Sequence, residues 1–588
     1  MKYCITTPIY YVNDAPHIGH AYTSVASDVL ARNFRLKGEV FFLTGTDEHG
    51  QKIEKAALLK GIEPLEFCDE VSQKFKALSL DFNLSNNDFI RTTEERHKSG
   101  VLKFWEKLEA NNWIYKGFYK GWYAIRDEAF YSEDELIDGK APTGAEVVWQ
   151  EEESYFFRLS EFTDLLTLLY TEIPSMIFPS SRLNEVKAFV SSGLKDLSIS
   201  RTSFKWGISC PSNEKHVIYV WLDALTNYIT ALGYPNGANY QTFWGNNWTN
   251  LENHAEIMHI IGKDILRFHA VFWPAFLIAE RYTLAEVQNC LQANISGGNK
   301  SDSTTSPPFI SPSGLTESTG FRPPNSKSIL QEIKNFFSHF RVVSHGWWKN
   351  NGEKMSKSLG NAINPYDLIN KFGLDKVRYF FLREVPFGGD GDFNEERFIS
   401  ITNADLANNI GNLTQRVMSF IYANCNGKIP QYSTFKALHS EESIHSDNLN
   451  GGQHFIQETQ SKQQVEFENF NFSKAIDIIL DFARKGNEII DKSAPWKLKK
   501  EERFEEMNDV LYLLAMKILA IYKMLAPIVP ESAIKGLKIF DGENKFPTIA
   551  EILKMGKKEQ DLILENLLKL EVKPEALINK PEIIFARI

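Results

Sequence analysis

Two imidazoles and two ammonium groups are the side chains in this sequence best suited to handling phosphate. The imidazoles stand in Pro16-His17-Ile18-Gly19-His20, one helical turn apart, where both can donate to developing negative charge. Gly19, lacking a Cβ, lets a nucleotide approach the backbone closely. The ammonium groups stand in Lys354-Met355-Ser356-Lys357-Ser358, between Asn351-Gly352 and Gly360. That loop, with two cations and hydroxyls, suits the clamping of a triphosphate whose charge grows as it reacts. Either string alone is a weak signal, since short matches arise by chance and a Lys/Ser run is ordinarily a solvated surface loop.

The elements around the strings must place them. The first follows Tyr3-Cys4-Ile5-Thr6-Thr7-Pro8-Ile9-Tyr10, rich in β-branched and aromatic residues, and precedes an amphipathic run through Val25, Val29, Leu30 and Phe34. This pattern predicts a strand-to-helix turn, with the unpaired N–H groups of a helix N-terminus turned toward phosphate. At 588 residues the chain is long enough for several domains. A net charge of −10 excludes a uniformly basic nucleic-acid coat, so any nucleic-acid contact must be a local patch. Met1-Lys2-Tyr3 runs straight into the first strand, which predicts no signal peptide, and no stretch is apolar for long enough to span a bilayer. A soluble cytoplasmic protein is expected. Cys4, Cys68, Cys210, Cys290 and Cys425 form no Cys-x-x-Cys pair, which argues against a disulfide framework and a cysteine zinc site.

Together and in this order the two strings resemble the signature of class I aminoacyl-tRNA synthetases. Further motifs sharpen the resemblance to the methionyl-tRNA synthetase family over nearly the whole chain: Thr6-Thr7-Pro8-Ile9-Tyr10-Tyr11-Val12-Asn13, Gly45-Thr46-Asp47-Glu48-His49-Gly50, Val220-Trp221-Leu222-Asp223-Ala224-Leu225-Thr226-Asn227-Tyr228 and Ile260-Ile261-Gly262-Lys263-Asp264-Ile265-Leu266-Arg267-Phe268-His269. The resemblance implies that Asp47 binds the substrate ammonium and that Pro8, Ile9, Tyr11, Trp221, Ala224, Leu225, Tyr228, Ile265 and His269 bind methionine. It also implies that His17, Gly19, His20, Gly262, Asp264 and Lys357 bind ATP, and that His17, His20, Lys354 and Lys357 serve catalysis. Two plainer readings stand beside these: Asp47 as the cap of the next helix, and His269 as a hydrogen-bonded core histidine. An apolar slot rimmed by aromatics suits the polarizable thioether of methionine.

The implied architecture is an α/β Rossmann-type nucleotide-binding domain with a parallel sheet, interrupted by a connective segment, plus an all-α C-terminal anticodon-binding bundle. We place the first catalytic half at 1–115, the connective segment at 116–214, the second half with the lysine loop at 215–360, a linking stem-contact region at 361–395 and the bundle at 396–588. Many relatives carry four-cysteine zinc knuckles in the connective segment. This chain lacks those cysteines and resembles the zinc-free branch, so the expected cofactors are ATP and substrate-bound Mg²⁺, without structural zinc. The segment is also too short for the editing domain of leucyl, isoleucyl and valyl enzymes.

In the bundle, Asn408, Asn412 and Arg416 recur at i, i+4 spacing, and Trp496 offers a platform on which an unstacked base can stack. The resemblance implies that these residues read the anticodon of tRNA(Met), although a polar helix face is by itself most often simply solvated. No appended dimerising module follows, and a monomer is expected. One departure is large. Roughly residues 286–340 intrude where relatives have a short connection, and the polar low-complexity run from Asn294 to Pro308 predicts a disordered insertion. Its end, Ile329, Leu330, Ile333, Phe336, Phe337 and Phe340, has helical apolar spacing and the means to dock. Other functions weighed are a class I synthetase for another apolar amino acid, a stand-alone nucleotidyltransferase, and a catalytically silent tRNA-binding protein.

Overall fold

The computed structural model describes residues 1–13, 15–127, 129–131, 133–248, 254–297, 326–355, 361–432 and 449–588. Their contacts form two compact units. One comprises Met1–Ala15, Glu39–Phe75 and Asp88–Ser344; the other comprises Pro16–Gly38, Lys76–Asn87 and His345–Ile588.

The first unit is built on a seven-stranded sheet. From one side, its strands run Tyr10–Tyr11, Glu39–Asp47, Lys2–Thr6, Ala255–Gly262, Phe340–His345 and Ile177–Phe178, with Asp88–Arg91 paired to Glu39–Asp47. Lys2–Thr6 pairs in parallel with both neighbours, Thr6 opposite Leu43 on one side and His259 on the other. Such central strands are covered on both faces and therefore read as apolar runs. Ala255–Gly262, of sequence AEIMHIIG, is buried along nearly its whole length. The β-rich opening segment is not one strand: it stops at Thr6, and Tyr10–Tyr11 pairs on the far side of Glu39–Asp47. Helix Glu95–Ala110 packs on Val220–Thr230 and Trp273–Arg281, and residues of all three share one apolar core with the sheet strands. The connective segment contributes a separate antiparallel sheet, whose long pair is Ile114–Ala124 with Val148–Phe157, while its Ile177–Phe178 joins the main sheet. All five cysteines are free thiols, and four are buried.

The insertion is where the structure corrects the sequence reading most. Leu284–Gly297 and Ser326–Ser338 are helices that pack on each other. Val287, Cys290, Ile329, Leu330, Ile333, Phe336, Phe337 and Phe340 are all buried in the main core. Phe336 stacks on Trp248 with ring centroids 4.1 Å apart. The expected insertion 286–340 is therefore too wide: the apolar periodicity of its two flanks belongs to the core. Residues 298–325 lie outside the described part.

The second unit is mainly helical beyond residue 361, its long helices being Asn412–Asn424, Leu449–Glu468, Phe472–Ser493 and Phe504–Leu525. The last three pack against one another around a core including Ile479, Phe482, Leu514 and Ile518. Among the described residues no helix is long and apolar enough to cross a membrane.

Candidate active site

In the second unit, His17 is the N-cap of the 18-residue helix Ile18–Arg35. Its Nδ1 accepts from the Gly19 N–H at 3.1 Å, while the His17 N–H donates to Nδ1 of His20, also at 3.1 Å. An Nδ1 that accepts holds its lone pair there, so each neutral ring carries its proton on Nε2. The two rings, 3.8 Å apart, thus pair two Nε2–H donors at the positive end of a helix. The fold-back of His17 also explains Gly19: a Cβ there would meet the His17 ring at 3.0 Å.

Buried charge anchors this helix. Asp28 accepts from Arg32 at 2.9 Å and Arg378 at 2.7 Å, and from the backbone and hydroxyl of Ser85 at 2.6 Å each. Burial opposes its ionisation, but the two guanidinium groups outweigh that and hold its carboxyl well below the usual range. Arg378 spends its remaining donors on the carbonyls of Phe82, Pro527 and Ile528. The helix bearing the imidazoles is thereby fixed within its unit.

The lysine string begins on a hairpin. Trp348–Asn350 pairs antiparallel with Glu353–Lys354 across Asn351-Gly352, both at positive φ, the arrangement favoured by a tight two-residue turn. The Gly352 N–H donates to Asp392 at 2.9 Å. The backbone of Lys354 closes the hairpin, whereas Ser356–Gly360, including Lys357, lies outside the described residues.

In the first unit the expected substrate residues lie at C-terminal strand ends and on the helices after them. Parallel alignment brings the ends of Lys2–Thr6, Glu39–Asp47 and Ala255–Gly262 to one edge, where ligands bind in open α/β sheets. Pro8 and Ile9 follow the first strand, Asp47 ends the second, and Gly262 with exposed Asp264 ends the third. Asp47 does not cap the next helix, whose N-cap is Gly50. Ile9, Trp221, Leu225, Tyr228, Ile265 and Phe268 share one apolar cluster, with Ala224 buried beside them on its helix. Trp221 stacks flat on Phe268 at 3.6 Å. Tyr11 belongs instead to a second cluster with Phe75 and Trp206.

His269 is buried in a π-helical turn, Phe268–Phe272, and is hydrogen-bonded on both nitrogens. Its Nδ1 lies 3.0 Å from the Ile265 carbonyl, which can only accept, so the proton is on Nδ1 and Nε2 accepts from the Tyr228 hydroxyl at 2.6 Å. The ring is therefore a neutral wall that orients Tyr228. Burial lowers its pKa from 6.5 to about 4. The unfolded chain takes up a proton below about 6.5 and the folded chain only near 4, so this stability is complete above pH 6.5 and is lost as pH falls through that window. From pH 7.5 to pH 5 the native protein should lose about 2 kcal/mol more than a His269→Gln variant in denaturant titrations. Equal losses would count against the buried neutral imidazole.

A further set of residues escaped the sequence reading. Asp223, fully buried, accepts from Nδ1 of His49 at 2.6 Å and from Nε2 of His97 at 2.7 Å, and His97 meets Thr230 at 2.8 Å. Burial alone would raise its pKa, but the two rings hold it down at about 2. Beside it, Glu48 takes a two-pronged contact from Arg91 at 2.7 and 2.9 Å and a third from Thr93 at 2.6 Å. These contacts lock the turn after Asp47. Asp223, the single charged residue of Val220–Thr230, was the available signal.

The class I tRNA synthetase family, methionyl type, matches residues 3–146, 143–306 and 328–418. The chain is 48% identical over 540 residues to the methionine–tRNA ligase of Rickettsia bellii, covering 91% of this chain and 92% of that one. It is 42% identical to the same ligase from Brucella suis, covering 92% and 91%. It also resembles the structure of Mycobacterium tuberculosis methionyl-tRNA synthetase in complex with methionyl-adenylate, with a TM-score of 0.79, 34% identity and complete coverage of both chains. This chain belongs to the methionyl-tRNA synthetase family. The family match pauses only between 306 and 328, so the helices on either side of residues 298–325 belong to the common fold.

In the second unit's helical part, the structure gathers part of the expected anticodon set. Asn408 lies in a π-helical stretch, Asn403–Gly411, that widens the expected α-helical spacing before Asn412–Asn424 begins. Asn408 and Asn412 are exposed, and Asn408 accepts from Arg587 at 2.8 Å. The Arg416 guanidinium sits 5.7 Å over the ring of Trp496 and pairs with Asp491 at 2.5 Å.

Proposed function

We propose that this chain joins L-methionine to tRNA(Met) in two steps, using ATP. The methionine carboxylate attacks the α-phosphorus of ATP, giving methionyl-adenylate and pyrophosphate. A ribose hydroxyl of the terminal adenosine of the tRNA then attacks the adenylate carbonyl and releases AMP. The observation that carries the reading is the tautomer forced on His17 and His20, which supplies two Nε2–H donors where a departing pyrophosphate gathers charge. Lys357 adds a cation to that charge, and Lys354 supports the loop. Mg²⁺ arrives with ATP as part of the substrate. Gly262 and Asp264 hold the nucleotide, with Asp264 on the ribose. Asp47 takes the methionine ammonium, while Pro8, Ile9, Tyr11, Trp221, Ala224, Leu225, Tyr228, Ile265 and His269 shape the side-chain slot. No protein nucleophile is required; positioning and electrostatics suffice.

ATP–pyrophosphate exchange tested across the amino acids checks the assignment. Methionine should sustain exchange far better than any other amino acid. Preference for another apolar amino acid, or tRNA binding without exchange, would sink it in favour of the other readings. We also infer a cytoplasmic monomer; a concentration-dependent dimer in sedimentation would count against it.

Asn408, Asn412, Arg416 and Trp496 are proposed to read the anticodon, with Trp496 as the stacking surface and Arg416 steadying it. Trp496→Ala should weaken tRNA aminoacylation by about 1–3 kcal/mol, the value of one stacked base. Exchange, which needs no tRNA, should be nearly unchanged. Parallel losses in both assays would mean a folding defect instead.

A further inference from the structure

The end of the main sheet opposite Asp47 and Gly262 holds another group of ligating side chains. His254 and Glu256 flank Ala255 where the strand Ala255–Gly262 begins, and the two-residue period of a strand puts them on one face. His339 immediately precedes the neighbouring strand, and its carbonyl accepts from the Ile257 N–H at 2.8 Å, which draws its side chain alongside. Nδ1 of His339 lies 2.8 Å from Oε1 of Glu256, and Nε2 of His254 lies 3.8 Å from the same oxygen. The three ligand atoms fall within 4.8 Å of one another. The two rings stack at 3.6 Å, so both stand on one side of the carboxylate. Its other oxygen, Oε2, faces Arg341 at 3.5 Å.

We propose that His254, Glu256 and His339 form a binding site for a divalent transition-metal ion, with Zn²⁺ the best match. Ligands about 2.0–2.1 Å from a tetrahedral zinc ion stand roughly 3.3 Å apart. The two imidazole–carboxylate separations of 2.8 and 3.8 Å bracket that value, and one ring must turn out of the stack for both in-plane lone pairs to meet one ion. Two imidazoles and one carboxylate favour zinc over the hard cations Mg²⁺ and Ca²⁺, which prefer all-oxygen shells. Side-chain exposures of 32% for His254, 21% for Glu256 and 18% for His339 leave the fourth position to water and give the ion a way in. Arg341 holds Oε2 and leaves Oε1 to the metal, the part an outer-shell partner plays, although its own charge opposes a dication. At about 3.3 Å per residue, Glu256 lies roughly 20 Å along the strand from Gly262, so the ion takes no part in nucleotide chemistry. It acts as a clip between the starts of two central strands, one of which directly follows the helix Ser326–Ser338. The lack of cysteine pairs closes the thiolate route to zinc and leaves this imidazole route open.

Full-length protein stripped with a chelator and titrated calorimetrically with ZnCl₂ should bind one Zn²⁺ per chain, while MgCl₂ gives no signal. His254→Ala and His339→Ala should each weaken zinc binding by more than about 100-fold, beyond the roughly 10–100-fold loss from an outer-shell change, and abolish the zinc-dependent rise in melting temperature. His339→Gln, which retains the size of the side chain, should melt normally in chelator, keep exchange activity and still bind weakly, separating ligand loss from misfolding. Stoichiometric binding that survives in the His254→Ala/His339→Ala double variant would place the ion elsewhere. Absence of saturable binding to the native chain would leave these residues as a hydrogen-bonded charge cluster. Either result overturns the proposal.

Discussion

Lys357→Ala should slow methionyl-adenylate formation by about 10²–10³-fold while leaving the fold intact. The proposed contact of this ammonium with the departing pyrophosphate strengthens as charge develops, so its loss falls on the transition state more than on bound ATP. Accordingly kcat for pyrophosphate exchange should drop with little change in the KM for ATP. Lys357 stands in a polar, glycine-flanked stretch of the sequence, three residues past the hairpin strand that ends at Lys354. The melting temperature should therefore be unchanged. Lys357→Arg keeps the charge but replaces a compact ammonium by a planar fork, and should recover only part of the rate. If exchange by Lys357→Ala stays within about twofold of the native rate, against the typical loss of a charge-stabilising donor, the role assigned to this residue is wrong.

The second large effect is a contrast between two excisions. Removing residues 286–340 and closing the gap should leave the protein insoluble. That cut deletes Val287, Cys290, Ile329, Leu330, Ile333, Phe336, Phe337 and Phe340 from the core, and with them the partners of Trp248 and His259. Burying a large apolar side chain contributes about 1.5–3 kcal/mol, so the combined loss, of order 10–20 kcal/mol, rivals the net stability of a whole domain at about 5–15 kcal/mol. Replacing only residues 298–325 by a short Gly/Ser linker keeps both helices, which already pack on each other. Loop-closure entropy changes by only about 0.6 kcal/mol per doubling of length, so melting temperature and exchange activity should stay near native values. Soluble expression with full activity after the long excision would refute the assignment of the flanks to the core. A marked loss after the short excision would show that 298–325 supports the fold directly.

Much of the chemistry was legible in the linear order. His17, Gly19 and His20 lie within one helical turn, where spacing alone sets proximity, and the strand-to-helix turn that presents them follows from a β-rich run meeting an amphipathic one. The helical C-terminal part was likewise readable, because helical periodicity is a local property, whereas the parallel Rossmann-type sheet was reached through the family resemblance. The grouping of Ile9, Trp221, Leu225, Tyr228 and Ile265 was foreseen only through family resemblance, since aromatic residues on a helix look alike whether they line a ligand or a core.

Other features were decided by tertiary structure. The link from His49 through Asp223 to His97 joins three segments far apart in sequence. The same is true of His269, whose burial and bond to Tyr228 make it neutral, a state that its sequence neighbours do not encode. The Asp28–Arg378 pair and the closeness of His254, Glu256 and His339 arise from side chains that only folding brings within bonding distance. The flanks of the insertion show the reason most directly. A polar run signals that it has no core of its own, but it does not mark where the core resumes, and Ile333 and Phe336 count as core only because Trp244 and Trp248 are folded against them. By itself the sequence determined which residues carry charge, protons and apolar surface, because these are properties of the side chains and their local spacing; which of them come within bonding distance of one another was settled by long-range packing.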